Sequence, residues 1–340
     1  MDMTVKTKTL AAGIAALTLG ASLASCGTND DSGGGSGSDM KMTVGYTAIG
    51  AAYSDLYVCE DKGIFKENGL DVELKLLNSS SQLLSALASK SVDVGAGIVN
   101  STAAGALEGV DLDYVALPIP AFYMEMWGDP AIKSEDDLKG KKIGLSSPGS
   151  LGDTATNAWL EKKGWTEKDI DKTFLKSTPA EVTALKKGAV DAIVTQPPTG
   201  TQTREEGFKK VTDMADIPAA ANAYTVTAGY NKENHKAVEA FVKSEVECLS
   251  ILHNDRDAAV ASIQKHSGND DKALAEYSYD FFEPLWATKP TVDPALVQKS
   301  FDQAAAEKGK KAPASVTKYI DNSMVEDLDQ SGFIDELYSK

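Results

Sequence analysis

Arginine is nearly absent from this chain: of 34 basic side chains, only Arg204 and Arg256 carry a guanidinium. A planar fork that grips a carboxylate through two hydrogen bonds can therefore come from at most two places. Histidine is scarce too, with His235, His253 and His266 dispersed over polar helical stretches as surface residues. With three cysteines and no Cys/His group at zinc spacing, no metal site and no cofactor are expected. Positive charge is the minority, 34 basic against 50 acidic side chains for a net charge of -16. Such a chain repels polyphosphate, which excludes nucleic acid as a partner. Apolar runs are short: the one at 10–23 falls short of a bilayer span, and no second one is long enough. What remains is ample for folding: 340 residues at 42% hydrophobic supply one or two packed cores and exclude a disordered, collagen-like or disulfide-stapled miniature chain.

Residues 1–25 read as a lipoprotein signal peptide. Lys6 and Lys8 precede the apolar run, which is too short and too rich in Ala and Gly for a mature span but suits a signal-peptide core. It stops at Leu23-Ala24-Ser25-Cys26, which resembles a bacterial lipobox: small residues admit the peptidase and the Cys26 thiol receives a diacylglycerol anchor. Residues 26–40 hold the lipidated Cys and a flexible tether, nearly all Gly, Ser, Asp and Asn. Without residues 1–25 the chain keeps 32 basic and 49 acidic side chains, a net -17. The expected mature protein is acidic, extracytoplasmic and held to the cell membrane by lipid. Cys59 and Cys248 each fall on the apolar face of a helix and read as two buried free thiols; the compartment permits a disulfide, which spacing alone does not decide.

From residue 42 strands and helices alternate. Strands are expected at 42–47, 71–77 and 92–99, with helices at 53–65, 82–90 and 102–108. The pattern restarts with strands at 141–146, 172–176 and 190–195 and helices at 153–163 and 179–187, then strands at 209–213 and 223–230 and helices to the end. That order is an α/β fold of two Rossmann-like lobes joined by two crossings, near 117–123 and 217–224, with a crevice at the carboxyl ends of the strands.

Four blocks carry a resemblance. Val44-Gly45-Tyr46 followed by 61–73 (DKGIFKENGLDVE), then 87–95 (LASKSVDVG), 137–144 (DLKGKKIG) and 184–192 (ALKKGAVDA) stand in register. Together they resemble the nitrate/sulfonate/taurine-type substrate-binding proteins of ABC transporters over residues 42–250. The resemblance implies a two-lobed type II periplasmic-binding-protein fold that closes around a small solute. It assigns 41–120 plus 222–340 to lobe 1 and 121–221 to lobe 2, the last ninety residues backing lobe 1. Most of the recurring residues build the lobes: Gly63 and Gly69 suit a helix C-cap and a turn, Phe65 and Leu70 plug the seam between them, and Asp93 and Asp191 cap or turn at strand starts.

Ligand chemistry belongs where strands stop and helices begin, at 46–50, 99–102, 146–150 and 195–198. Each junction pairs hydroxyl or amide side chains with a helix N-terminus, whose free N–H groups accept an anion or polar acceptor without a formal cation. The candidate ligand-binding residues are Tyr46, Thr47, Tyr53, Asn100, Ser101, Phe122, Tyr123, Ser146, Ser147, Ser150 and Gln196. Ser, Thr and Asn at such places also cap their own helices. Trp127 reads as core, Glu125 as solvated, and Arg204 as a residue within reach of a carboxylate. No Ser/His/Asp or Cys/His constellation is legible, so no catalytic residues are assigned and no enzyme is expected, although thiamine-pyrimidine synthases of the same fold resemble the first lobe. The partners implied are a small solute, sulfonate-like or heteroaromatic such as a pyrimidine, an ABC permease with its ATPase, and the membrane through Cys26; the chain is expected to be monomeric. An aromatic carboxylate, a riboflavin-like solute and a solute-sensing lipoprotein are the alternatives.

Overall fold

The computed structural model describes residues 39–77 and 79–339; the signal peptide, Cys26 and nearly all of the tether lie outside the described residues. Ten strands run in order: β1 (Met40–Tyr46), β2 (Leu70–Leu76), β3 (Val94–Gly97), β4 (Leu112–Ala121), β5 (Glu125–Gly128), β6 (Lys142–Leu145), β7 (Asp171–Phe174), β8 (Ala192–Thr195), β9 (Lys209–Asp213) and β10 (Pro218–Thr227). They make two five-stranded sheets, ordered β2-β1-β3-β10-β4 and β7-β6-β8-β5-β9. Helices α1 (Ser54–Lys62), α2 (Ile64–Glu67), α3 (Ser80–Ala88) and α4 (Val99–Leu107) serve the first sheet, and α5 (Leu151–Lys162) and α6 (Thr178–Lys186) the second. After β10 come α7 (Ala228–Glu233), α8 (His235–Asn254), α9 (Arg256–Ser267), α10 (Lys272–Phe282), α11 (Pro294–Glu307), α12 (Ser323–Gln330) and α13 (Phe333–Tyr338).

The two sheets are built alike. In each, a central strand pairs in parallel with neighbours on both sides: β1 with β2 and β3, and β6 with β7 and β8. A returning strand closes each antiparallel, β10 against β3 and β5 against β8. Asp93 and Asp191 do the same work in the two sheets, accepting from the backbone N–H of Thr43 and Lys142 at 2.8 Å, which ties the residue before β3 and the residue before β8 to the neighbouring strand. Glycine lets α3 lie close on the first sheet: a Cβ at Gly97 would meet Leu83 Cδ2 at 2.5 Å, and one at Gly95 would meet Leu87 Cδ1 at 2.8 Å. Gly63 ends α1 in the left-handed region at φ 76°, as its place before α2 requires, and Phe65 and Leu70 are buried beside it.

The chain crosses between sheets twice, at 122–124 and 214–217, and the two crossings hold each other: Phe122 N–H donates to Ile217 O at 3.1 Å and Met214 N–H to Met124 O at 2.9 Å.

Four local expectations change. β4 is absent from the sequence reading because Pro118 and Pro120 interrupt its apolar run; the strand lies at a sheet edge, where a proline costs no ladder bond. Residues 287–290 cover that edge, Ala287 N–H reaching Pro118 O and Leu117 N–H reaching Pro290 O, both at 2.8 Å. The expected strand to Val99 stops at Gly97, and the one to Tyr230 stops at Thr227, whose hydroxyl accepts from Tyr230 N–H and so starts α7. Cys59 and Cys248 are not free thiols: a disulfide joins them, tying α1 to α8 across 189 residues of sequence.

Candidate functional site

The four junctions come together as two pairs. The first, after β1, meets the fourth, after β8: a Cβ on Gly50 would stand 3.2 Å from Gln196 Nε2. Between them lies a cavity of about 170 Å³. Ile49, Gly50 and Ala51 form one side, Gln196, Pro197, Pro198 and Thr199 the opposite side, and Leu274, Ala275 and Ser278 of α10 a third. The second and third junctions meet through α11. Asn100 Nδ2 donates to Glu307 Oε1 at 3.5 Å, and a Cβ on Gly149 would lie 3.1 Å from Glu307 Oε2. A larger cleft of about 1040 Å³ runs between α5 and α11, lined also by Phe122 and Ile217 of the crossings and by the start of β10 at 218–220.

Which hydroxyls and amides are already engaged separates caps from ligand donors. Ser150 is a cap, its Oγ accepting from Asp153 N–H at 3.3 Å while Asp153 Oδ2 accepts from Gly149 N–H at 2.9 Å. Lys172 Nζ stands 2.9 Å from Asp153 Oδ1, a buried ion pair that fixes this turn. By contrast no side chain caps α4, and the buried Asn100 Oδ1 and Thr195 Oγ1 find no hydrogen-bond partner among the described residues. Leaving a buried hydrogen-bonding atom unmade costs on the order of 1–3 kcal/mol, so these two atoms keep capacity in hand at the second and fourth junctions, although neither residue lines either cavity. Ser101 and Ser146 are half-buried and Ser147 is exposed; none of the three lines either cavity.

The aromatic candidates divide. Tyr46 is half-buried, its ring 5.5 Å from that of Tyr53 and 5.9 Å from that of Tyr57. Tyr53 itself is buried in the core, where Thr47 Oγ1 shares a 2.8 Å hydrogen bond with its hydroxyl and burial pushes its pKa up to about 12. Tyr53 thus holds Thr47 in place rather than facing a crevice. Tyr123 is likewise core, its ring 5.4 Å from that of Phe282, whereas Phe122 lines the larger cleft.

Other expectations are corrected. Glu125 is wholly buried, not solvated, and accepts from Trp127 Nε1 at 2.9 Å; the strand it sits on is covered on both faces. Arg204 does not reach a junction: its guanidinium lies over the rings of Trp127 and Tyr277, and Arg256 bonds Asp280. His253 and His266 are not free surface residues. His253 bonds Glu283 and the Trp286 carbonyl, and His266 stacks on Tyr57 at 4.3 Å and bonds Asp61 at 3.1 Å. Glu60, Asp61 and His266 bring ligand atoms within 4.8 Å of one another, but Lys265 and Ser262 also donate to Asp61, which makes the group an ion-pair network. The α10 wall and Glu307 escaped sequence reading because both lie in the last ninety residues, far in sequence from the turns they meet.

The fold recurs among solved structures. The periplasmic aliphatic sulphonate binding protein SsuA from Escherichia coli superposes with a TM-score of 0.70 at 19% identity, over 83% of this chain and 98% of that one. The alkanesulfonate-binding protein SsuA from Xanthomonas axonopodis pv. citri, bound to MOPS, gives 0.68 at 19%, over 85% and 100%. In sequence, a binding protein of Brucella abortus is 28% identical over 158 residues, 45% of this chain; the chain spans about half the length of the curated relatives it matches. The architecture is that of a two-lobed periplasmic binding protein. The model of the family described as "NMT1/THI5 like" matches residues 51–259, well over half of the sequence, and the chain belongs to that family.

Proposed function

We propose that this protein is the solute-binding component of an ABC importer, extracytoplasmic and anchored through a lipid on Cys26. Its lobes, 41–120 with 222–340 and 121–221, close around a small organic solute by rotating at 122–124 and 214–217. The observation that carries the reading is the approach of Gly50 to Gln196 across a small cavity, with an unengaged hydroxyl on Thr195, the residue before Gln196. Solute docks on one lobe and recruits the other, so that closure excludes water and a permease can tell the filled form from the empty one. Cargo is held by amides and hydroxyls, with the Tyr46 ring at the first turn and the Phe122 ring at the crossing as aromatic anchors that closure brings to it, since both guanidinium groups are engaged elsewhere. A sulfonate-like solute or a neutral heteroaromatic such as a pyrimidine suits that donor set. Binding without catalysis is supported by the engagement of His253 with Glu283 and the Trp286 carbonyl and of His266 with Asp61, neither of them bonded to a serine or cysteine nucleophile among the described residues.

A thermal-shift screen of alkanesulfonates, aminopyrimidines, flavins and aromatic acids tests this, because a ligand bound only by the folded state raises the melting temperature. A saturable shift with a sulfonate or a pyrimidine is expected. No shift from any of the four classes at millimolar concentration would overturn the assignment.

A further inference from the structure

Helix α10 packs with α9 and with the turn at 51–53 that precedes α1, yet one of its side chains is half-buried against the second sheet. Ala275, Tyr279 and Phe282 belong to the large core, whereas Tyr277 packs with Trp127, Leu185, Ile193 and Phe208. The Tyr277 hydroxyl donates to Glu125 Oε1, and Lys210 Nζ stands 3.4 Å from the same carboxylate. The Arg204 guanidinium lies 5.7 Å from the Trp127 ring and 5.5 Å from that of Tyr277, while Phe281 receives Lys210 Nζ over its face at 5.9 Å. Glu125 stands opposite Thr195 in the β5–β8 ladder, one residue before Gln196. The tie is therefore anchored at the root of the turn that forms one wall of the 170 Å³ cavity, and α10 forms another.

We propose that Tyr277 is a positioning residue for this cavity: its bond to Glu125 sets the spacing between α10 and the turn at 196–199, and with it the width of the solute site. The proposal rests on the reading of that cavity as the solute site. The burial of Glu125 makes the tie two-state. A small separation, too narrow for water, strands a carboxylate with one donor fewer, so α10 is either seated or fully parted.

Hydrogen–deuterium exchange on the solute-free protein tests it with Tyr277→Phe, Glu125→Gln and the double variant. Loss of a hydrogen bond to a charged acceptor predicts exchange about tenfold faster in peptides covering 196–202 and 272–282 of Tyr277→Phe. Glu125→Gln keeps an acceptor and gives a smaller rise, and the double variant is no faster than Tyr277→Phe. Peptides over 80–107 stay unchanged. Unaltered exchange at 196–202, or a uniform rise over both sheets, would overturn the proposal. Because no solute is present, this outcome is independent of the screen above: a failed screen refutes the solute classes, and a failed exchange pattern refutes the tie.

Discussion

Two carboxyl groups lie side by side in the interior, and their titration has a sign that can be measured. Asp55 of α1 and Glu245 of α8 are both buried, with Tyr224 donating to Asp55 Oδ2 at 2.7 Å. Burial raises both pKa values, Glu245 well above the usual carboxylate range, and the charge of Asp55 adds to the rise at Glu245. A third carboxyl, Glu181 of α6, is pushed up to about 8 by burial. Each of these groups binds its proton more tightly folded than unfolded. Their stabilisation is complete below the unfolded pKa, near 4.3 for Glu, and is lost as pH rises towards the folded values. With Asp55 ionised, the pair holds one proton in this window, on Glu245, and each proton so held tilts stability by about 1.4 kcal/mol per pH unit, so the pair and Glu181 together predict a fall of roughly 3 kcal/mol per unit between pH 5 and 7. The groups whose pKa values are lowered, Asp61, Glu135 and Asp255 among them, act below that window. Urea unfolding of the oxidised protein at pH 5, 6 and 7 reads the slope. Glu245→Gln and Glu181→Gln should each remove roughly half of it, since a neutral amide has no proton to lose. Stability that is flat or rises with pH in the wild type, or a slope untouched by Glu245→Gln, would refute the reasoning.

Further expectations follow from single contacts. Reducing the Cys59–Cys248 bridge releases a loop of nearly two hundred residues and should destabilise by about 2–5 kcal/mol, read as a lower melting temperature in phosphine reductant with a mass gain of two hydrogens. Gly200→Ala sets a Cβ 2.0 Å from the Trp127 ring, which Arg204 and Glu125 hold in place, and should cost at least about 3 kcal/mol by thermal denaturation. Tyr46→Ala and Phe122→Ala should each weaken binding of a solute found in the screen by about 1–3 kcal/mol in calorimetry, with the far-ultraviolet circular dichroism unchanged.

Much of the fold was written locally and could be read. Strand β8 sits between short turns and carries a continuous apolar run, the mark of a strand covered on both faces, while β1 shows the alternation of a half-covered strand before it turns apolar at Val44. Gly63 and the Asp93/Asp191 pair announce themselves because a left-handed cap and a strand-start hydrogen bond are each settled within a sheet and its nearest turn. Partnerships between distant segments were not legible. Nothing in the residues around Cys59 points to Cys248, and nothing around Glu125 points to Tyr277, 152 positions on. Glu125 reads as solvated in a single sequence because charge is normally exposed; only its three partners, from β5, β9 and α10, make burial tolerable.

The same distinction decides how the four turns should be weighed. In sequence they are equivalent: each is a few hydroxyls or amides before a helix. In space they differ by what their own helices have already taken. Ser150 is spent on α5, and Asp153 is bound to Gly149 and Lys172, so at the third turn the capping side chains are already engaged. Asn100 and Thr195 keep buried acceptors in hand, and α4 begins without a side-chain cap. Thr195→Val separates ligand donor from structural residue. Removing a buried hydroxyl that bonds nothing should leave stability unchanged or raise it by up to about 1 kcal/mol, whereas removing a group that bonds solute should weaken binding by about 1–2 kcal/mol. Ser150→Ala should do the reverse, costing about 1 kcal/mol of stability with affinity nearly intact. If Thr195→Val proved destabilising with affinity preserved, Thr195 would be structural, and the donor set at the fourth turn would reduce to Gln196.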